Sequence, residues 1–178
     1  MAEHESVPPA IQYEELTSDS SPDTVALARN LLLEYGHFVV AQVNAAQFCF
    51  GSLEKEAAML PSLYHEQGGG CLLAYLGQQP AGFVAWRALQ TTATVKSDAW
   101  EMKRLWVRTS ARGLGLGRAL SEAILERAIA ARRRAVYLDT VPGCMAAAHR
   151  LYLNLGFTPC SPYNDNRIDG IAHLVKIL

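Results

Sequence analysis

The sequence predicts a single α+β domain in which strands and helices are interleaved. Three observations predict it. The chain has 178 residues, half of them apolar, which is one domain's worth of chain and enough to bury a core. Stretches with the two-residue alternation of strands take turns with stretches whose apolar residues recur at three and four. A bulky strand-like run, 100–108, also leads through the glycine-rich stretch RGLGLG (112–117) straight into a helical pattern.

Each element has its own signal. IQYEEL (11–16) alternates and reads as the first strand. In 21–39, Ser21 is a candidate N-cap, Pro22 sits at the first helical position, and apolar residues keep helical spacing from Val25 to Leu33. A second helix is predicted over LEKEAAMLPSLY (53–64), interrupted near Pro61. After EQGGG (66–70), CLLAYL (71–76) and AGFVAWRAL (81–89) flank GQQP, a hairpin signature. WEMKRLWVR (100–108) is the next strand. The helix after the glycines carries Leu116, Ala119, Leu120, Ala123 and Ile124 on one face. AVYLDT (135–140) is a strand, CMAAAHRLYLNLG (144–156) a helix ending on Gly156 as its left-handed cap, and IAHLVKIL (171–178) the closing strand. No repeat or linker divides the chain, so the domain is expected over 11–178 and disorder only over 1–10.

Composition excludes several classes. Cys49, Cys71, Cys144 and Cys160 form no CxxC pair, and the five histidines show no ligand spacing. This argues against a disulfide scaffold or a metal site and for a reducing compartment. The N-terminus has neither a basic start nor an apolar run, and no segment approaches 18 uninterrupted apolar residues. A cytoplasmic protein with no membrane partner is expected. Residues 101–134 hold nine of the sixteen basic side chains and only three acids, a local charge of +6 against −7 elsewhere. Such a field points to a polyanionic ligand. Arg132 to Arg134 close a helix and read as solvated partners of its dipole. The cluster is short and lacks interleaved aromatics, which argues against nucleic acid.

The glycines at 113, 115 and 117 decide what kind of anion. A flexible connector has no need for a helix to begin inside the run. Backbone N–H groups from 113 to 118 are instead expected to point into one concavity at a helix N-terminus, where the dipole and unpaired donors favour an anion. A Walker A loop needs a lysine, and none lies between 104 and 175. A dinucleotide fingerprint, with Asp139 as its ribose acid, lacks the third glycine at Leu120 and stands after four preceding elements.

RGLGLG fits the Q/R-x-x-G-x-G/A loop of the GNAT superfamily of acyl-CoA-dependent N-acyltransferases. AAAHRLYLNLGF (146–157) is similar to that family's next motif, A-x-x-x-Y-x-x-x-G-F, and the element order resembles the family over nearly the whole chain. The resemblance implies a twisted mixed sheet of about seven strands, the fourth and fifth splayed apart, flanked by about four helices. It implies acetyl-CoA as cofactor: pantetheine along Leu105, Trp106 and Val107 in the gap, and the diphosphate on Arg112, Gly113, Leu114, Gly115, Leu116, Gly117, Arg118 and Ala119. A backbone N–H near Val107 would polarise the thioester carbonyl.

Amide formation needs two proton transfers. The acceptor ammonium, with a pKa near ~10, must lose a proton, and the departing thiolate must gain one. The resemblance assigns the first to Glu101, eleven residues before Arg112, which otherwise reads as a strand-end glutamate paired with Lys103. It assigns the second to Tyr152, which otherwise reads as a core aromatic beside Ala148, Leu151 and Leu155. Met145 stands where the family often has asparagine. Cys144 reads as a buried structural thiol.

The expected reaction is acetyl transfer to a primary amine of a small molecule, an amino acid or other small amine, by direct attack in a ternary complex. The alternatives are a peptide or protein amine, or a silent acyl-CoA-binding sensor. Trp86, Trp106, Tyr163, Asp165 and Arg167 are acceptor-site candidates, since the resemblance builds that site from EYGHF (34–38) and SPYNDNRIDG (161–170). Arg167 suits an acceptor carboxylate and acidic side chains a polyamine. A monomer or homodimer is expected.

Overall fold

A computed structural model of the chain describes residues 10–42, 50–95 and 98–178. Apart from Ala10, the segment expected to be disordered lies outside them. The order is β1 (Ile11–Glu15), α1 (Pro22–Gln42), α2 (Phe50–Ala58), α3 (Ser62–Glu66), β2 (Gly70–Leu76), β3 (Gln79–Ala88), β4 (Ala99–Val107), α4 (Leu116–Ala130), β5 (Ala135–Thr140), α5 (Ala146–Asn154), β6 (Thr158–Pro159) and β7 (Ala172–Ile177). The seven strands form one mixed sheet ordered β1-β2-β3-β4-β5-β7-β6, in which only β4 and β5 run parallel. This is the α+β fold the sequence predicts.

Local chemistry sets the boundaries. Ser21 Oγ accepts from the Thr24 amide at 3.1 Å, and Pro22 opens α1. The helix expected over 53–64 is two helices, because Pro61 offers no N–H to continue the ladder; α2 stops at Ala58 and α3 starts at Ser62. Among the described residues five α-helices therefore accompany the sheet, close to the expected number of about four. Gly156, at φ +85°, ends α5, with the Phe157 amide on Tyr152 O and the Gly156 amide on Leu153 O.

The sheet is covered on both faces. Leu116, Leu120, Ile124 and Ala128 of α4, with Tyr152 of α5 and its C-cap Leu155, pack against Leu72, Val84, Met102, Val136 and Leu138. On the opposite face, Leu31 and Leu32 of α1, Leu53 of α2 and Tyr64 of α3 pack against Leu73, Phe83, Ala85 and Trp106. Burying a leucine or phenylalanine side chain contributes about 1.5–3 kcal/mol.

Two irregularities in β4 open the sheet at its centre. The strand pairs with β5 only at Ala99, Trp100 and Glu101, opposite Ala135, Val136 and Tyr137; beyond Glu101 the two strands part. On its other side a bulge sets both Arg104 and Leu105 against Val84 of β3. Arg104 takes φ +60°, the left-handed conformation a glycine normally supplies at such a point. The extra residue reverses the side-chain alternation. Leu105 and Val107 face α4 and α5, while Trp106 falls on the same side as Glu101 and Lys103.

Candidate functional site

Where β4 and β5 part, two adjoining concavities open. One is a groove of about 490 Å³ lined by Leu105, Trp106 and Val107, by the loop from Ala111 into α4, and by Cys144 to Ala148 and Leu151. The other is a cavity of about 340 Å³ lined by Arg87, Met102 to Leu105, Asp139 to Val141, Tyr152, Asn164 and Asn166. Tyr35, Leu105, Met145 and Ala148 border both, so the two meet there.

The groove begins at bare backbone. Gly115, at φ +81°, is the N-cap of α4, and Gly113 stands at φ +80°; a side chain at either would be strained although open space surrounds it. Glycine is needed at these two for conformation. Gly117 has ordinary φ, and a methyl there would touch Leu151 and Val107, which also line the groove. The first amide spent inside α4 is that of Ala119, on Gly115 O at 3.0 Å. The six amides from Gly113 to Arg118 donate to no described residue. Six unspent donors at a helix N-terminus fit a diphosphate. Leu114 and Ala119, expected at the cofactor, line neither concavity: the Leu114 side chain is exposed and the Ala119 amide is already bonded. Along β4 the Arg108 amide is given to Ala81 O, so strand alternation turns the peptide groups of Val107 and Leu105 toward the gap.

Three of the nine basic side chains of 101–134 are met by acids from elsewhere in the fold. Arg104 makes two bonds to Glu56, at 2.9 and 3.0 Å. Arg108 is held by Glu34 at 2.7 Å and Arg127 by Glu15 at 3.1 Å; Arg118 pairs with Glu122 one turn on, at 3.1 Å. Arg112 lies over the rings of Trp106 and Phe38, 4.9 and 5.3 Å from their centroids, and its Nε donates to Val107 O.

Under the cavity lies a buried polar network. Glu101 is 1% exposed and accepts from Arg87 Nε (2.6 Å), Tyr163 OH (2.9 Å), Asn164 Nδ2 (3.3 Å) and Lys103 Nζ (3.5 Å). Burial pushes its pKa up, but the charges of Lys103 and Arg87 outweigh this and hold it below the ordinary value. Glu101 lines neither concavity. Lys103 does line the cavity, and burial lowers its pKa against the pull of Glu101. Asn164 Nδ2 also donates to Asp139 Oδ2 at 2.7 Å, and Asn166 Nδ2 donates to the same oxygen at 3.2 Å. Behind them, His173 Nε2 lies 3.1 Å from Asn164 Oδ1.

Tyr152 lines the cavity from α5, buried against Phe157. Burial, with the nearby Tyr35 and Asp139, raises its pKa, so the phenol stays protonated through neutral pH. Of the acceptor-site candidates, Trp106 lines the groove, its Nε1 donating to Glu34 at 3.1 Å. Trp86 lines neither concavity; it packs on Trp100 in the core. Tyr163 lines neither concavity; it donates to Glu101 and its ring stands edge-on to His173, while Asp165 and Arg167 are exposed. The loop 161–170 does reach the cavity, through Asn164, Asn166 and Ile168. Cys144, expected as a buried thiol, is half-buried and lines the groove, because Met145 turns the chain into α5 there. The residues missed from sequence are Arg87, Lys103, Asp139, Asn164 and Asn166. Arg87 and Lys103 carried a signal: charges inside otherwise apolar strands, at positions whose alternation points them the same way as Glu101.

Among the described residues no helix is long and apolar enough to cross a membrane. Residues 39–157 match the profile of the Acetyltransferase (GNAT) family. The N-acetylaspartate synthetase of Danio rerio is 31% identical over 122 residues, 68% of this chain and 41% of that protein. Its Homo sapiens namesake is 35% identical over 107 residues, 60% of this chain and 33% of that protein. The chain thus spans less than half the length of either relative. An acetyltransferase of Streptococcus agalactiae 2603 shares the fold, with a TM-score of 0.70, 19% identity, and coverage of 94% of this chain and 98% of that one. With the profile matched over two thirds of its length, from the end of α1 through the glycine loop to the end of α5, the chain belongs to the GNAT family of N-acetyltransferases.

Proposed function

We propose that this acetyltransferase moves the acetyl group of acetyl-CoA onto the α-amine of a small amino acid, with aspartate the first candidate. The observation that carries the reading is the pairing of charges in the cavity. Arg87 and Lys103 both face the single carboxylate of Glu101, which leaves one cationic charge for a ligand carboxylate. Asp139, on the wall formed by β5, offers the opposite charge for an ammonium group. The ammonium and one carboxylate of an amino acid satisfy both; the names of the Danio rerio and Homo sapiens relatives single out aspartate, which carries this pair and one further carboxylate.

The parts then have separate tasks. The amides of Gly113 to Arg118 hold the diphosphate, and the open edge of β4 from Leu105 to Val107 holds the amide-bearing arm as an added strand would be held. Acetyl-CoA supplies the acetyl group as a thioester and departs as the thiol. The Val107 backbone N–H polarises the carbonyl. Tyr152 donates its proton to the departing sulfur. Glu101 sets the positions and charges of Arg87 and Lys103.

The test is free-thiol release from acetyl-CoA with purified protein and a panel of aspartate, other amino acids, polyamines, arylamines and short peptides. Turnover of carboxylate-bearing amino acids above polyamines is expected. Preference for a polyamine would contradict the charge argument, and preference for a peptide would favour a macromolecular acceptor.

A further inference from the structure

We propose that Asp139, rather than Glu101, takes the proton from the acceptor amine; this rests on the transfer reaction proposed above. Two carboxylates lie on the same face of β4 and β5, and their surroundings differ in kind. Glu101 is enclosed by four donors, two of them cationic. A carboxylate has about four lone-pair sites, so little capacity remains, and the residue does not reach the cavity. Asp139 is half-buried and lines the cavity together with Tyr152, Leu105 and Lys103. Both of its partners, Asn164 and Asn166, donate to Oδ2. Among the described residues nothing donates to Oδ1. Neutral amides fix the orientation of this carboxylate without neutralising it, and one oxygen is left open beside the cavity. That is the arrangement a proton acceptor needs.

The step balances. Asp139 Oδ1 takes one proton from the ammonium group, and the freed nitrogen lone pair forms the C–N bond at the thioester carbonyl carbon. The C–S bond breaks with its electron pair going to sulfur. Tyr152 gives its phenolic proton to that sulfur and takes the second proton shed by the nitrogen, while the proton on Asp139 leaves to solvent. The products are the amide, the thiol and one proton. Glu101 is a positioning residue for Arg87, Lys103 and Asn164.

The groups that face Asp139 are Lys103 from β4, Tyr35 from α1 and Tyr152 from α5, with Tyr163, Asn164 and Asn166 from the loop before β7 and His173 opposite it on β7. The charges of Glu101 and Asp139 pull the Lys103 pKa up against burial, so Lys103 and Asp139 attract one another across the cavity. The tyrosines stay neutral in the working range, because burial raises all three.

The test compares the full-length wild type with Asp139→Asn, Asp139→Glu and Glu101→Gln. Thiol release is followed from about pH 6 to 10 with acetyl-CoA and the best wild-type amine, and acetyl-CoA affinity is measured by calorimetry. Asparagine keeps an oxygen for Asn164 and Asn166, so the loop is retained. Asp139→Asn is expected to lose about 10²-fold in kcat/KM near neutral pH with unchanged acetyl-CoA affinity. The loss should shrink toward about pH 10, where the amine sheds its proton to solvent. Asp139→Glu should recover part of the rate, and Glu101→Gln should raise the amine KM while leaving the shape of the pH profile intact. The assignment is overturned if Asp139→Asn stays within about threefold of wild type, if its defect is the same at every pH, if a folded Asp139→Glu gains nothing over Asn, or if Glu101→Gln shows the pH-dependent loss instead. A wild type that binds acetyl-CoA yet releases no thiol with any amine overturns the functional reading itself; an active wild type with an unimpaired Asp139→Asn overturns only this assignment.

Discussion

Arg104→Gly and Arg104→Ala are expected to destabilise the fold by different amounts, in the order opposite to the one usual for a strand. Both variants remove the two bonds from Arg104 to Glu56, whose side chains are 20% and 13% exposed, and leave Glu56 with Tyr64 as its remaining partner. Stranding one member of such a pair costs about 3–5 kcal/mol. The backbone adds a second effect. Alanine at φ +60° keeps a left-handed strain of about 1–2 kcal/mol that glycine lacks. Glycine loses about 0.5–1 kcal/mol more chain entropy on folding, which leaves it ahead by roughly 0.5–1 kcal/mol. Urea unfolding followed by tryptophan fluorescence reads the difference as roughly 0.3–0.5 M in midpoint, for a slope of about 2 kcal/mol/M. An alanine variant as stable as the glycine variant would refute the strain argument. A loss below about 1 kcal/mol in both would refute the ion-pair argument. The same pair sets a pH dependence. Burial pushes the Glu56 pKa up and Arg104 more than reverses this, so the carboxyl is held below its ordinary 4.5. Its stabilisation is present above about pH 4.5 and lost as pH falls, so the gap between wild type and either variant should narrow in acid.

Three further outcomes separate cofactor, acceptor and chemistry. Gly117→Ala should leave thermal stability equal or higher, since the methyl meets only ordinary contacts in a helix, yet weaken acetyl-CoA binding in calorimetry by filling the groove. Tyr152→Phe should lower kcat by about 10²-fold or more with acetyl-CoA affinity nearly unchanged; full turnover would remove it as the acid. Lys103→Met should raise the KM of a carboxylate-bearing amine by about 10-fold or more and leave acetyl-CoA affinity alone, because the acceptor loses a charged partner and the groove does not, while Glu101 keeps Arg87.

What the sequence discloses and what it conceals divides along contact range. The hairpin at 77–80, the cap at Ser21, the left-handed Gly156 and the helix starting within the glycine run are local, and each depends on residues within about one turn of the feature. The strand-to-loop-to-helix unit was legible for the same reason. The bulge at Arg104 was not, because an arginine in a left-handed conformation gives no signal in the chain itself; the pairing with Glu56, 48 residues away, accompanies it. The charge count of 101–134 suggested an open basic field, but Glu34, Glu56 and Glu15 arrive from distant elements to meet three of those arginines. Glu101 reads in the sequence as a general base by resemblance or as a strand-end glutamate beside Lys103; its enclosure by Arg87, Tyr163 and Asn164 depends on strand register and on a loop some sixty residues further on. Asp139 was considered only as a ribose acid. The neighbours that make it a candidate base come from the loop before β7, more than twenty residues later in the chain.

Under the proposed function, the cavity beside the glycine-loop groove joins acetyl to the nitrogen of a small amino acid. Incubation with acetyl-CoA labelled with ¹³C at the carbonyl, and with ¹⁵N-aspartate among a set of ¹⁵N-amino acids, tests this directly by nuclear magnetic resonance. A one-bond ¹³C–¹⁵N coupling in an amide product, absent without protein, is the result predicted. Label that remains on sulfur, or that appears only as free acetate, would contradict it.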